Sequence, residues 1–95
     1  MNPDERRSID IVRVRTAAGI VAVPWDSAQE FLTRCRAGRD EVPRIVHRFQ
    51  AVGTSRPVEL DGDDIALALE LLDAWAAEEA LPQGIPELRD ALGRA

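Results

Sequence analysis

Hydrophobic residues recur with helical spacing from Leu60 to Leu81, the longest such pattern in the chain. On a helical wheel, one side of this segment carries Ile65, Ala68, Leu69, Leu71, Leu72, Trp75 and Ala76, with Leu67 at its edge. Glu70 and Asp73 clearly face water. The apolar arc covers roughly 200°, whereas a surface helix needs about 100°. We therefore expect this helix to be covered on two sides, by the rest of the chain, by a partner, or by both.

A second pattern, in which β-branched residues alternate with polar ones, runs from Ser8 to Pro24 and predicts a β-hairpin. The simplest connection is a type I turn over Ala17 and Ala18, followed by Gly19 as a left-handed bulge. That register directs four residues toward the helices: Val12, Val14, Ile20 and Ala22. The other face then combines Arg13 and Arg15 with Ile9, Ile11, Val21 and Val23. This face is too apolar for ordinary solvent-exposed surface.

The remaining segments predict three more helices and one strand. A helix begins with a capping box at Asp26 or Ser27 and ends before Gly38, and a second runs from Asp40 or Val42 to Val52. Residues 58–60 predict an edge strand, because Pro57 cannot donate a hydrogen bond to a sheet. Asp61 caps the central helix, Pro82 ends it, and a short helix follows.

The predicted element order is β-β-α-α-β-α-α, which defines an α+β fold. The hairpin and one short edge strand form a small antiparallel or mixed sheet, packed by three to four helices. We expect a single domain over residues 8–95, preceded by a flexible N-terminus at residues 1–7.

The amino-acid composition indicates the cellular compartment in which the protein is expected. The only cysteine is Cys35, which favours a reducing compartment. The N-terminus does not resemble a secretory signal, and no stretch reaches the roughly 20 apolar residues of a membrane span. All twelve basic residues are Arg, which is typical of a GC-rich genome. We therefore expect a cytoplasmic bacterial protein with no membrane association.

Few residues suggest catalysis, and each has a simpler interpretation. His47 is predicted to face solvent beside Arg44 and Arg48, and Cys35 lies on an apolar helix face, where a thiol is inert. The acidic run at residues 61–64 opens a helix, where negative charge is expected without a metal. The loop at residues 53–56 lacks the length and the Lys of a phosphate-binding loop. We therefore expect no catalytic residue, no cofactor and no metal.

Charge is distributed unevenly. The net charge is −5 overall, but residues 1–56 carry +3 and residues 57–95 carry −8. Arg44 and Arg48 lie in the second of two helices joined by a tight turn, which permits a nucleic-acid-binding regulator as an alternative function. Asp40 and Glu41 stand at the start of that helix, where phosphates would approach, so nucleic acid is the less favoured partner.

Surplus apolar surface usually marks a binding partner, and Trp is enriched at interface hot spots. We therefore predict a non-catalytic protein-interaction module that acts as an accessory, regulatory, immunity or antitoxin-like subunit and that forms a homodimer. The predicted partner-binding residues are Trp75, Arg13, Arg15, Arg44 and Arg48. The sequence leaves open whether Trp25 and Trp75 belong to the core or to an interface.

Overall fold

The structure is a computed structural model that describes residues 10–94. Within these residues, three strands and four helices follow one another. They are β1 (Ile11–Thr16), β2 (Gly19–Pro24), α1 (Trp25–Arg36), α2 (Arg44–Val52), β3 (Val58–Glu59), α3 (Gly62–Glu78) and α4 (Ile85–Leu92). The predicted α+β class and element order are confirmed. The predicted flexible segment, residues 1–7, lies outside the described residues, as does Ile9.

The sheet is mixed, with strand order β2-β1-β3. β1 and β2 are antiparallel, whereas β3 runs parallel to β1, with Val14 beside Val58 and Arg15 beside Glu59. The short third strand at the sheet edge was predicted correctly, although it comprises only Val58 and Glu59. Its parallel direction brings the α2–α3 connection next to the middle of β1.

The predicted hairpin register is wrong by one residue. Thr16 pairs with Gly19 across a two-residue turn, so Val14 pairs with Val21 and Val12 with Val23. The Thr16 hydroxyl closes this turn by donating to the Gly19 carbonyl at 2.6 Å and accepting from the Ala18 N–H at 3.1 Å. Gly19 has the predicted positive φ, +116°, but it lies in the ladder instead of forming a bulge.

This shift exchanges the two faces of β2, because side chains alternate along a strand. Val21 and Val23 now join Val12 and Val14 on the side that packs against the helices, while Ile20 and Ala22 point outward. Val12, Val14, Val23 and Val58 are all at most 1% exposed. The sheet therefore has one apolar inner face and one solvent-facing outer face.

Two predicted helix starts also differ. α1 begins at Trp25, without the predicted capping box, and the Trp25 N–H donates to the Asp10 carbonyl at 3.1 Å instead. α2 begins at Arg44, so Pro43 is its N-cap and not part of its first turn. The cap of α3 was predicted correctly, since Asp61 and Asp64 each accept a hydrogen bond from the other's backbone N–H. α3 ends at Glu78, before the predicted Leu81.

The core lies between the inner sheet face and the helices. α1 and α4 pack against β1 and β2, α2 packs against β3, and α3 packs on α1 and α4. The largest fully buried helical side chains are Phe31, Ile45, Leu72, Trp75, Ile85, Leu88 and Leu92. All described helices thus lie on one side of the sheet, and its other face is covered by none of them.

Candidate interaction surface

The outer face of the sheet carries both apolar and cationic side chains. From β2 and β1 it presents Ile20, Ala22, Ile11, Arg13 and Arg15, and from β3 it presents Glu59. We call these six residues the outer sheet face. Only three large hydrophobic residues of the described chain are exposed, and two of them, Ile20 at 52% and Ile11 at 39%, lie here.

Cross-strand pairing places the arginines beside the apolar residues. Arg15 lies opposite Ile20, and Arg13 lies opposite Ala22. Arg15 Nε is 3.6 Å from Glu59 Oε1, an exposed ion pair of small energetic value, because water screens it. Arg13 Nη2 donates to the Thr54 carbonyl at 3.4 Å, so its side chain extends toward the loop before β3. Both guanidinium groups therefore lie on the β3 side of the outer sheet face.

A shallow groove continues the apolar part of this face. Its volume is about 290 Å³, and its lining residues are Ile11, Ala22, Pro24, Gln83, Gly84 and Glu87. Gly84, which immediately precedes α4, closes one wall with φ of +86°. A Cβ atom there would lie 2.7 Å from Pro24 Cδ and 3.2 Å from Val23 Cα. Glycine therefore allows the α3–α4 connection to approach the end of β2 closely.

Trp75 is part of the core and not of this surface. Its side chain is 1% exposed, and its indole Nε1 donates to Glu79 Oε1 at 2.8 Å. The Arg34 guanidinium lies 4.4 Å from the Trp75 ring centroid and forms ion pairs with Glu78 and Glu79. These contacts tie α1 to the end of α3. Burial removes Trp75 from the candidate surface, whereas Trp25 is half-buried against the core.

Arg44 and Arg48 are engaged within the protomer. Arg44 Nη1 lies 3.4 Å and Arg48 Nη2 lies 3.0 Å from Asp61 Oδ2. Arg48 Nε lies 2.5 Å from Asp64 Oδ2, although its N–H is not aligned for a hydrogen bond, so this contact is an ion pair. The cluster joins α2 to the N-terminus of α3. Fixed in this way, both charges are partly neutralised by carboxylates.

The hydrogen bond from the Asp64 backbone N–H is the largest cause of a lowered pKa at Asp61. The neighbouring guanidinium groups of Arg48 and Arg44 lower this pKa further, because they favour the ionised carboxylate. Asp61 therefore keeps its charge into acidic solution, where it caps α3 and holds α2 at the same time.

The two candidate nucleophilic or basic side chains differ in environment. Cys35 is fully buried in α1, and burial raises the pKa of its thiol to about 12. His47 is exposed on α2 and borders an open depression shared with Arg39, Arg44 and Val42.

Within residues 10–94, no cluster of three or more His, Cys, Asp or Glu side chains has metal-binding geometry. No helix in this described part of the chain is long and apolar enough to cross a membrane.

The predicted register placed Ile20 and Ala22 on the inner face, so these two surface residues were not predicted. Arg13 and Arg15 were correctly placed on the outer face with Ile11. The signal that could have identified the register is the similarity of Val21 and Val23 to Val12 and Val14, which together form one uniformly apolar face.

Comparisons with family models, curated proteins and solved structures found no match to this chain. The described residues form a small α+β domain with a mixed three-stranded sheet whose outer face is covered by none of the described helices.

Proposed function

We propose that this protein is a small non-catalytic module that acts by binding another protein, as an accessory, regulatory, immunity or antitoxin-like subunit. The observation that carries this proposal is the outer sheet face. It exposes Ile20 and Ile11 beside Arg13 and Arg15, on the side of the sheet that no described helix covers. Exposed apolar residues within a polar rim are typical of protein-binding surfaces.

A homodimer is a second form of the same proposal. Two copies that met through their outer sheet faces with antiparallel strands would bring Arg13 and Arg15 of each copy together, whereas parallel strands would place these arginines over Ile20 and Ala22 of the other copy. Only Glu59 on each face could offset this repulsion, and it already lies beside Arg15. The charge pattern therefore favours a different protein over a second copy.

Nucleic-acid binding through Arg44 and Arg48 is less well supported. Both guanidinium groups are paired with carboxylates of the same chain, so phosphates would compete with Asp61 and Asp64. Among the described residues the aromatic rings are buried or half-buried, so they offer no exposed platform on which bases could stack.

The proposal includes a cytoplasmic, bacterial setting. This part rests on the single cysteine and on the use of Arg without Lys.

Two matched substitutions test the proposed function. Ile20→Asp changes the outer sheet face, whereas Val42→Asp changes an exposed hydrophobic residue, 44% accessible, that lies outside it. Tagged wild-type protein and both variants would be used to capture bound proteins, which quantitative mass spectrometry would identify. We expect one or more proteins to be retained by the wild type and by Val42→Asp but reduced at least about tenfold by Ile20→Asp.

Circular dichroism of both variants serves as the control, because both positions are exposed and both proteins should remain folded. Equal capture by all three proteins would contradict the assignment of the outer sheet face. Capture that depended on Val42 instead would assign partner binding to the α1–α2 connection.

A further inference from the structure

The outer sheet face is divided into an apolar side and a cationic side. Ile20 and Ala22 occupy β2, and Ile11 lies at the adjoining end of β1. Arg13 and Arg15 extend toward β3, where they approach Thr54 and Glu59. A complementary partner would therefore present an apolar stripe with negative charge along one flank.

The dimensions of this face suit one α-helix. Three strands spaced by about 4.8 Å span roughly 10 Å, and six residues of β1 extend about 20 Å. An α-helix with its side chains is about 10 Å in diameter, and about 13 residues cover 20 Å. Helices on the inner face already bury one side of the sheet, so a helix on the outer face would complete a three-layer arrangement.

Strand addition at a sheet edge fits less well. The backbone of Gly84 lies against the Ala22–Pro24 end of β2, and Pro24 has no N–H to donate. On the opposite edge, β3 has only two residues and follows Pro57. Neither edge offers a long row of free backbone groups, so the face is the better docking element.

A second copy is also a poor occupant. Two acidic residues lie on or beside the outer sheet face: Glu59 already lies beside Arg15, and Glu87 lines the groove next to Ile11 and Ala22. Contacts between opposite sides of successive copies are heterologous and produce rings or open chains, not a two-fold dimer. Direct pairing of two outer sheet faces opposes arginines with arginines when the strands are antiparallel, and it places the arginines of one copy over Ile20 and Ala22 of the other when the strands are parallel.

We propose that the outer sheet face docks an amphipathic helix of a different protein, with Asp or Glu residues along one flank of its apolar stripe. This inference rests on the proposed function and specifies its partner. Ile20, Ala22 and Ile11 contact the apolar stripe, while Arg13 and Arg15 pair with the acidic flank. Charge decides the orientation of the helix, because the guanidinium groups lie only on the β3 side.

The probe is a stapled helical peptide of about 14 residues, built from Leu and Ala with Glu along one flank. A control peptide carries Lys in place of every Glu. Fluorescence anisotropy of labelled peptide would measure affinity for the full chain, and ¹⁵N NMR would locate the contact. We expect the Glu peptide to bind and to shift the amide signals of β1 and β2, while the Lys peptide binds at least about tenfold more weakly.

Charge-reversal variants provide the matched comparison. Arg13→Glu with Arg15→Glu should weaken binding of the Glu peptide about tenfold or more. Arg36→Glu with Arg39→Glu makes the same change in net charge at exposed positions near the end of α1 and should have little effect. Binding to the wild type should also weaken as salt increases, because exposed charges are screened.

Three results would overturn the inference: equal affinity for both peptides, signal shifts confined to other surfaces, or binding of anionic phospholipid vesicles without binding of the Glu peptide. NMR contacts from residues 1–9 to Ile20 would instead identify the chain's own N-terminal segment as the occupant. Sedimentation that showed concentration-dependent dimers of the wild type, but none of Ile20→Asp, would identify a second copy as the occupant. If the Glu peptide did not bind but capture of a protein depended on Ile20, only the proposed acidic amphipathic helix would be rejected. Failure of both experiments would reject the proposed function as well.

Discussion

Replacing Trp75 with alanine removes the largest buried side chain of the described core. The indole is 1% exposed, donates a hydrogen bond to Glu79 and supports the Arg34 guanidinium 4.4 Å from its ring centroid. The substitution leaves a cavity between α1 and α3, and it also removes the group on which Arg34 is stacked.

The expected loss of stability follows from these contacts. Truncation of a buried Trp to Ala typically costs about 3–5 kcal/mol, because apolar burial is lost and the cavity closes only partly. Loss of the half-exposed cation–π contact adds about 0.5–1 kcal/mol. A domain of this size has a total free energy of unfolding of about 5–15 kcal/mol. Trp75→Ala should therefore remove a large part of the stability of the domain.

Urea unfolding, followed by far-ultraviolet circular dichroism, measures this loss, and sedimentation velocity measures assembly. Glu70→Ala, an exposed substitution in the same helix, should change stability by less than about 0.5 kcal/mol. If Trp75→Ala changed the unfolding free energy by less than about 1 kcal/mol but abolished association with a partner, Trp75 would be an interface residue and the core described above would be incorrect.

Two further substitutions test the connections between elements. The lowered pKa of Asp61 stabilises the folded state above the unfolded-state pKa, and this contribution is lost as pH falls through the folded-state value. Asp61→Asn, which retains an N-cap side chain, should therefore reduce the fall in melting temperature below about pH 4; an unchanged pH profile would refute this role. Gly84→Ala and Gly38→Ala share positive φ strain, but only the first places a Cβ 2.7 Å from Pro24 Cδ. Gly84→Ala should lower the free energy of unfolding by at least about 1 kcal/mol more than Gly38→Ala does. Equal losses of stability for the two variants in urea unfolding would contradict the close approach of Gly84 to β2.

Much of the fold follows from local sequence patterns. Helical spacing over residues 60–81 and alternation over residues 8–24 were sufficient to predict the central helix and the hairpin. The proline and glycine positions predicted where most elements end, and Asp61 identified the start of α3. These features depend on residues close together in the chain, so their physical causes can be identified without the tertiary structure.

The candidate surface depended on information that is not local. The change from a bulged to a two-residue turn moved Ile20 and Ala22 to the outer sheet face. Because successive side chains of a strand point in opposite directions, one residue of register changes the composition of both faces. Sequence alternation alone permits both registers.

Long-range packing also decided the roles of three predicted partner-binding residues. Arg44 and Arg48 meet Asp61 and Asp64 only because α2 lies beside the start of α3. Trp75 is covered because α1 brings Arg34 and core residues onto its helix. The sequence by itself determined the elements and their apolar stripes. Only the tertiary structure decided which stripes cover one another, because burial depends on neighbours that are distant in the chain.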